Sequence, residues 1–288
     1  MAHLTPQTGY APVNGLQLYY ELHGTGTGAP LAVLHGAFMT IELLGNLVPG
    51  LARTRPVIAV ELQGHGHTAE IERPLTYEQL ADDIAALLCY LRIGSADLYG
   101  YSLGGGVALQ VALRHPQLVR TLVLVSSSYT SDGMYPEVRA AIEQITPDLF
   151  AGTPWRAAYD RTAPHPEAFP TLVAKLTALD RTPFAWPAAA IAALSAPTLI
   201  IIGDSDGTRP EQAESTSCRS RTGSRWRRTP CSPGTTGDGC PGGRPGIPWA
   251  SQRHKLVGKA ARVDHRDHHQ GEQRAAEHAA DPFMCSPA

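Results

Sequence analysis

Short apolar runs rich in β-branched residues alternate with longer stretches of helical period between residues 17 and 127. This alternation predicts a mostly parallel, doubly wound α/β sheet with helices on both faces. One more apolar run, near residue 200, follows a long gap. The predicted strands are Leu16–Leu22, Leu31–Leu34, Pro56–Glu61, Ala96–Tyr99, Thr121–Val125 and Thr198–Ile202.

Two helices in this region have clear sequence signals. Thr76 precedes Glu78 and a helical spacing of leucine and isoleucine that ends at Leu88, which is the pattern of an amphipathic helix with a capped start. Small and apolar residues in its first turns predict a second helix over Leu103–Arg114.

The strand and helix alternation breaks between residues 128 and 195. Helices separated by prolines are predicted here, for example Pro136–Phe150 and Ala168–Leu179. An insertion at the carboxyl ends of parallel strands is placed to cover a ligand site, although an ordinary helical excursion is the alternative. We therefore predict a core segment (1–127), a helical cap (128–195) and a second core segment (196–214).

The globular pattern stops after residue 214. The chain has 288 residues, of which 43% are apolar; the first 214 hold 12 Lys and Arg against 20 Asp and Glu, whereas the last 74 hold 12 against 6. From Ser215 to Ala250, 28 of 36 residues are Gly, Pro, Ser, Thr or Arg, and Ile247 is the only aliphatic branched residue. Such a segment cannot supply a buried face. We expect residues 215–288 to lack packed structure, so that the last strand and helix are lost.

An uncharged run extends from Phe184 to Gly203, but Pro187 and Pro197 interrupt it. It therefore predicts a helix followed by a buried strand, not a membrane span. The first 15 residues have no apolar run behind a basic start, so we expect a cytoplasmic, reducing location. We expect a small-molecule substrate, with neither nucleic acid nor membrane as a partner, and the oligomeric state stays open.

Residues 100–104 read Gly-Tyr-Ser-Leu-Gly and satisfy the pattern G-x-S-x-G. They follow the predicted strand ADLY and open the helix LGGGVALQVAL. A serine on a sharp strand-to-helix turn is a typical nucleophile, and its glycine neighbours let the helix pack close to the strand. Ser102 is therefore the predicted nucleophile.

Four segments in this order resemble the α/β-hydrolase superfamily, in its group of serine esterases, lipases, haloperoxidase-like proteins and carbon–carbon bond hydrolases. The resemblance covers about residues 13 to 214, and it implies acyl transfer to water through an acyl-enzyme, with no cofactor and no metal. The segments are LHGAF at Leu34–Phe38, ELQGHGHT at Glu61–Thr68, GYSLGG at Gly100–Gly105 and LIIIGDSDG at Leu199–Gly207.

The resemblance implies roles for other residues of these segments. The backbone N–H groups of Ala37 and Leu103 would bind the oxyanion. Asp206 would be the acid that orients the base, with Asp204 as the alternative, although GDSDG is also a good turn sequence.

Three histidines of these segments are expected to be structural. We expect the ring of His35 to be packed, and His65 and His67 to tie down the loop after their strand.

Aromatic residues near the serine predict a mainly apolar pocket that favours a small, uncharged carboxylic ester or related carbonyl compound. The expected lining residues are Phe38, Tyr101, Tyr129, Phe150 and Trp155.

The general base is missing from its expected position. In chains resembling this one, a histidine follows the acid by roughly 25 to 40 residues. The window Cys231–Gly246 has none, and the run Pro233–Thr236 is similar to a family P-G-T-T-H run but is followed by Gly237. We expect impaired activity; an inactive binding protein of this fold is the alternative. The histidines left in the tail are His254, His265, His268, His269 and His278.

The change in composition has two interpretations. Charge reversal together with the arginine, serine, proline, cysteine and glycine load suggests that the reading frame shifts near residue 214. A genuine, divergent and disordered tail is the alternative.

Overall fold

The computed structural model of the chain describes residues 5–211 and the backbone of residues 258–263. Eight strands of these residues form one sheet in the order β1-β2-β4-β3-β5-β6-β7-β8. The strands β4, β3, β5, β6 and β7 are mutually parallel, whereas β1, β2 and β8 pair antiparallel with their neighbours. The strands are β1 (Gln7–Val13), β2 (Leu16–His23), β3 (Leu31–Leu34), β4 (Val57–Val60), β5 (Ala96–Tyr101), β6 (Val119–Val125), β7 (Thr198–Gly203) and β8 (Gly258–Val263).

The predicted fold class is confirmed, and both faces of the central sheet are buried. Alternate residues of β3 belong to two different apolar clusters, with Ala32 and Leu34 in one and Leu31 and Val33 in the other. This alternation follows from the pleat, which directs successive side chains to opposite faces. The described helices are α1 (Leu47–Leu51), α2 (Tyr77–Tyr90), α3 (Leu103–Arg114), α4 (Pro136–Glu143), α5 (Pro154–Thr162), α6 (Phe169–Arg181) and α7 (Ala188–Ala192).

In the sequence, the helices of the insertion come between β6 and β7. One of them, α6, is bound to the loop that follows β4. The ammonium group of Lys175 donates to Glu70 Oε1 at 2.6 Å and to the carbonyl oxygens of Ile71 and Arg73 at 2.7 Å each. Three donors and three acceptors are thereby matched within a part-buried site. This contact fixes one helix of the insertion on the sheet domain.

The predicted helix Pro136–Phe150 is wrong in its second half. Helix α4 ends at Glu143, and Pro147–Phe150 forms a separate 3-10 turn. The reason is Pro147, which holds the preceding residue, Thr146, in an extended conformation at φ −125° and ψ 158°.

One strand lies within residues 215–288, which were expected to lack packed structure. Gly258–Val263 pairs antiparallel with β7, Gly203 opposite Gly258 and Thr198 opposite Val263. Strand pairing uses backbone groups, so it does not need the apolar side chains on which the prediction was based, and it covers the unpaired edge of β7. The rest of the predicted tail lies outside the described residues.

No helix of the described residues is long and apolar enough to cross a membrane.

Candidate active site

Ser102 occupies the sharp turn between β5 and α3. Its backbone has φ 51° and ψ −115°, a left-handed φ that is uncommon for a residue with a Cβ. The N–H of Ser102 donates to the carbonyl oxygen of Val125 at 2.8 Å, and its own carbonyl accepts from the N–H of Gly105 at 2.9 Å. The turn is therefore held from the end of β6 and from the first turn of α3.

Two glycines allow α3 to begin this close to the sheet. A Cβ on Gly104 would lie 2.5 Å from the carbonyl oxygens of both Leu34 and His35. A Cβ on Gly100 would lie 2.2 Å from the carbonyl oxygen of Gly104. Because backbone atoms cannot move away easily, only glycine fits at either position. The turn at Ser102 therefore lies directly against the segment that follows β3.

The segment after β3 carries Ala37, the other candidate oxyanion donor. Its geometry is special, because Phe38 has φ 63° although it is not glycine. Gly36 lies against the ring of Tyr101, whose Cδ1 would be 2.9 Å from a Cβ there. At the other side, the N–H of Leu103 is in the first turn of α3, where backbone donors have no acceptor within the helix.

Two buried histidines hold this segment in place. His35 Nδ1 lies 2.8 Å from the carbonyl oxygen of Gly36, and its Nε2 accepts from the N–H of Leu62 at 3.1 Å. His65 has the same pattern: Nδ1 lies 2.9 Å from the carbonyl oxygen of Gln63, and Nε2 accepts from the N–H of Phe38 at 3.1 Å. Both rings are therefore neutral, with the proton on Nδ1.

Burial accounts for this protonation state. Burial lowers the pKa of His35, and it lowers the pKa of His65 to about 3, where the neighbouring His35 ring acts in the same direction. His67 differs, because a hydrogen bond to the carboxylate of Glu61 raises its pKa. The expectations that His35 is packed and that His65 and His67 tie down their loop agree with these contacts.

Asp206 lies in the loop after β7, and three donors surround its carboxylate. The hydroxyl of Ser126 donates to Oδ2 at 2.5 Å, as does the N–H of Gly203 at 3.3 Å. The N–H of Thr208 donates to Oδ1 at 2.8 Å. Asp204, the alternative acid, is exposed.

The charge of Asp206 also reaches the turn before α3. Burial raises the pKa of Tyr101, the neighbour of Ser102, and the carboxylate of Asp206 raises it further.

Three serines follow β6 and were not predicted as site residues, and the first two connect these turns. The hydroxyl of Ser126 binds the carboxylate of Asp206, and the hydroxyl of Ser127 donates to the carbonyl oxygen of Ser102 at 2.8 Å. The hydroxyl of Ser128 donates to the carbonyl oxygen of Thr130 at 2.8 Å. The run of three serines was visible in the sequence, but no known motif assigns a function to serines at this spacing.

A base is not seen within the described part of the chain. There, no histidine hydrogen-bonds to Ser102 or Asp206, and the hydroxyl of Ser102 has no hydrogen-bond partner. The five tail histidines named above lie outside the described residues. In the described ranges, no group of three or more His, Cys, Asp or Glu side chains has the arrangement of a metal site.

Four of the five predicted pocket aromatics contribute to one large apolar cluster, which also contains residues of the sheet and of α2, α3 and α6. Phe38 and Phe150 are buried in it with ring centroids 4.6 Å apart, and Phe150 packs in turn against Phe169. The half-buried Tyr129 and Trp155 pack against the same cluster. The fifth aromatic, Tyr101, lies against Gly36 as described above.

Comparisons with known proteins point to one family. The model of a family described as "alpha/beta hydrolase fold" matches residues 29–184. The chain is 39% identical over 118 residues to a 2-hydroxymuconate semialdehyde hydrolase of Pseudomonas sp. strain CF600, covering 38% of this chain and 41% of that protein. It is 43% identical over 111 residues to a pimeloyl-acyl-carrier-protein methyl ester esterase of Neisseria meningitidis, covering 38% and 41%. The matches thus span less than half of the length of these relatives.

A solved structure of a hydrolase is similar to this chain over a larger part of its length. The crystal structure of a hydrolase from Pseudomonas aeruginosa is 26% identical and has a TM-score of 0.57, covering 74% of this chain and 86% of that one.

Proposed function

Because the chain belongs to the alpha/beta hydrolase fold family, we propose that it is a serine hydrolase that acts on a small, uncharged carboxylic ester or a related carbonyl compound. Similar proteins are named as hydrolases and as an esterase. The observation that carries the proposal is the backbone of Ser102, at φ 51° between β5 and α3. A strained turn of this kind presents the serine oxygen for attack.

In the proposed reaction, the oxygen of Ser102 attacks the carbonyl carbon, and the electron pair of the carbonyl bond moves to its oxygen. The N–H groups of Ala37 and Leu103 stabilise that oxyanion. When the carbonyl re-forms, the bond to the alcohol breaks. The alcohol leaves with the proton that the Ser102 hydroxyl gives up, and the acyl group stays on Ser102. Water then attacks the acyl-enzyme and releases the acid.

Asp206 supports the role of the acid through its surroundings. Its carboxylate accepts three hydrogen bonds, from Ser126, Gly203 and Thr208, and these hold its orientation. An orienting acid needs such a fixed geometry, because it acts by holding an imidazole in one tautomer.

The proposed site lacks a general base at the expected position, since the window Cys231–Gly246 contains no histidine. Loss of the base costs about 10⁶-fold in kcat in a well-studied serine protease. We therefore propose that turnover is strongly reduced compared with intact members of the family. The competing function is that of a binding protein of the same fold without catalysis.

A fluorophosphonate probe and p-nitrophenyl acetate test the proposal together. Phosphonylation of the full chain, and its loss in Ser102→Ala, are expected; the Gly237→His variant, which adds a histidine after the run Pro233–Thr236, is expected to raise turnover. Labelling that persists in Ser102→Ala would exclude Ser102 as the nucleophile. A folded chain that neither labels nor turns over, even as Gly237→His, would favour the binding protein.

A further inference from the structure

The loop that follows β6 contains a residue with a positive φ similar to that of the proposed nucleophile. Ser126 has φ 54°, and its N–H donates to the carbonyl oxygen of Ile201 in β7 at 2.9 Å. A positive φ is costly for a residue with a Cβ, and such residues persist where the surroundings impose them. The pairing of β6 with β7 and the hydrogen bond to Ile201 impose it here.

This backbone geometry brings the Ser126 hydroxyl onto Asp206. The oxygen–oxygen distance of 2.5 Å is that of a short hydrogen bond from a hydroxyl to a carboxylate. Among the described residues, the remaining donors to the carboxylate are backbone groups, the N–H of Gly203 at 3.3 Å and that of Thr208 at 2.8 Å. Ser126 thus supplies the side-chain donor and the shortest of the three contacts.

From this arrangement we propose that Ser126 is a positioning residue of the hydrolase site: its hydroxyl holds the Asp206 carboxylate in the orientation in which the acid works. This inference rests on the proposed function for its catalytic consequence. Its structural part, the control of the Asp206 side chain by Ser126, stands on the hydrogen bond itself.

The next two serines show that the role is specific to one position. The hydroxyl of Ser127 binds the carbonyl oxygen of Ser102, so it supports the nucleophile turn. The hydroxyl of Ser128 donates only locally, to the carbonyl oxygen of Thr130. Ser128 is therefore a matched control: it has the same side chain in the same loop, and its hydroxyl is bonded elsewhere.

Three variants at position 126 separate the hydroxyl from the backbone. Ser126→Gly removes the hydroxyl and suits a positive φ, so it does not add backbone strain. Ser126→Ala removes the hydroxyl and keeps the Cβ. Ser126→Asn retains a side-chain donor, and asparagine tolerates a positive φ better than most residues. Ser128→Ala removes the control hydroxyl.

The first measurement is the rate of fluorophosphonate labelling of Ser102, with kcat and KM for p-nitrophenyl acetate where turnover is measurable. These variants are made in the Gly237→His background, which offers Asp206 an imidazole to orient. There we expect labelling and kcat to fall roughly 10- to 100-fold in Ser126→Gly and Ser126→Ala with KM nearly unchanged, because misplacing a catalytic group acts on the reaction step. Ser126→Asn should recover most of the rate and Ser128→Ala should retain it. Rates in Ser126→Gly equal to those of the Gly237→His parent, or equal losses in Ser126→Gly and Ser126→Asn, would overturn the proposal.

A crystal structure of Ser126→Gly decides the inference independently of activity. The Asp206 side chain is expected to leave its present rotamer in this variant and to keep it in Ser128→Ala. An unmoved Asp206 in Ser126→Gly would overturn the positioning role whatever the assays show. If the wild-type chain neither labels nor hydrolyses esters, the proposed function fails, and the position of Asp206 in Ser126→Gly still decides whether Ser126 controls that side chain.

Discussion

The N–H of Phe38 donates to Nε2 of His65 across 3.1 Å, which joins the proposed oxyanion segment to the loop after β4. Nε2 can accept this bond only while it carries no proton. Protonation of His65 would therefore replace a hydrogen bond next to Ala37 with two opposed N–H groups.

This contact predicts a loss of stability on acidification. The pKa of His65 is lowered to about 3 from the ordinary value of 6.5. Between these values the unfolded chain binds the extra proton, so stability is present above about pH 6.5 and is lost as the pH falls towards 3, by at most about 1.4 kcal/mol for each pH unit. Denaturant unfolding at pH 7.5 and 5.5 measures the loss. It should be smaller in His65→Gln, whereas the exposed-site control His165→Gln should behave as wild type; an unchanged loss in His65→Gln would contradict the assignment.

The contact between Gly104 and the carbonyl oxygens of Leu34 and His35 predicts that Gly104→Ala is destabilising. Forcing a methyl group to within 2.5 Å of backbone oxygens requires α3 to move, at a cost of about 1–3 kcal/mol. Gly50→Ala in α1 is the control, because nothing lies within 4 Å of a Cβ there and alanine favours a helix. Thermal unfolding compares the two. Equal midpoints in both variants would show that α3 tolerates a larger separation from β3.

Lys175 predicts how firmly the insertion is held. Lys175→Met keeps the length of the side chain but leaves the carbonyl oxygens of Ile71 and Arg73 without this donor, which should cost about 1–3 kcal/mol and increase proteolysis within residues 128–195. Arg161→Ala removes an exposed pair with Glu42 and should change little. Limited proteolysis at matched temperature checks both variants. A similar effect in the two would mean that the part-buried contact of Lys175 stabilises the insertion no more than an exposed ion pair does.

The aromatic cluster around Phe38 and Phe150 predicts a preference for uncharged acyl groups. An ionised acyl group would lose its hydration there without gaining a partner. In a series of p-nitrophenyl esters, those with short and medium neutral acyl chains should therefore be cleaved fastest. Where turnover is too slow to measure, the same esters should compete best with the probe for labelling of Ser102. Succinyl esters of matched length are the charged control, and a preference for them would contradict the apolar pocket.

The composition break at residue 214 predicts a result at the level of DNA. If the frame shifts there, one of the other two reading frames encodes an apolar strand and then a histidine roughly 25 to 40 residues beyond Asp206. Sequencing and translating the coding DNA in three frames is the measurement. Absence of such a segment from both alternative frames would favour a genuine divergent tail.

The sequence predicted those elements whose signals, such as caps and apolar periodicity, lie within the element's own residues. Thr76 caps α2 through a hydrogen bond from the N–H of Gln79, and α3 extends over the predicted residues Leu103–Arg114. The confirmed parallel core follows from the same kind of signal, because buried parallel strands are continuous apolar runs.

Other features depend on partners far away in the sequence. Strand β1 was missed because only Ala11 and Val13 of its seven residues are buried, and its pairing with β2 defines it. The contact of Ser126 with Asp206 joins residues 80 positions apart, so it arises only when β6 and β7 pair. The assignments of Ser102, Asp206 and the pocket residues remain predictions.

The glycines in the first turn of α3 make the geometry of the Ser102 turn depend on the whole sheet. Three consecutive glycines, Gly104–Gly106, lower the helix propensity of this first turn by about 1 kcal/mol each relative to alanine. A twelve-residue helix with such a start is unstable alone, so the turn exists only while β3 and β5 support it. Labelling of Ser102 by a fluorophosphonate should therefore be lost cooperatively with the fold. As denaturant is added, the loss of labelling and global unfolding would have the same midpoint, with no reactive, partly folded intermediate between them.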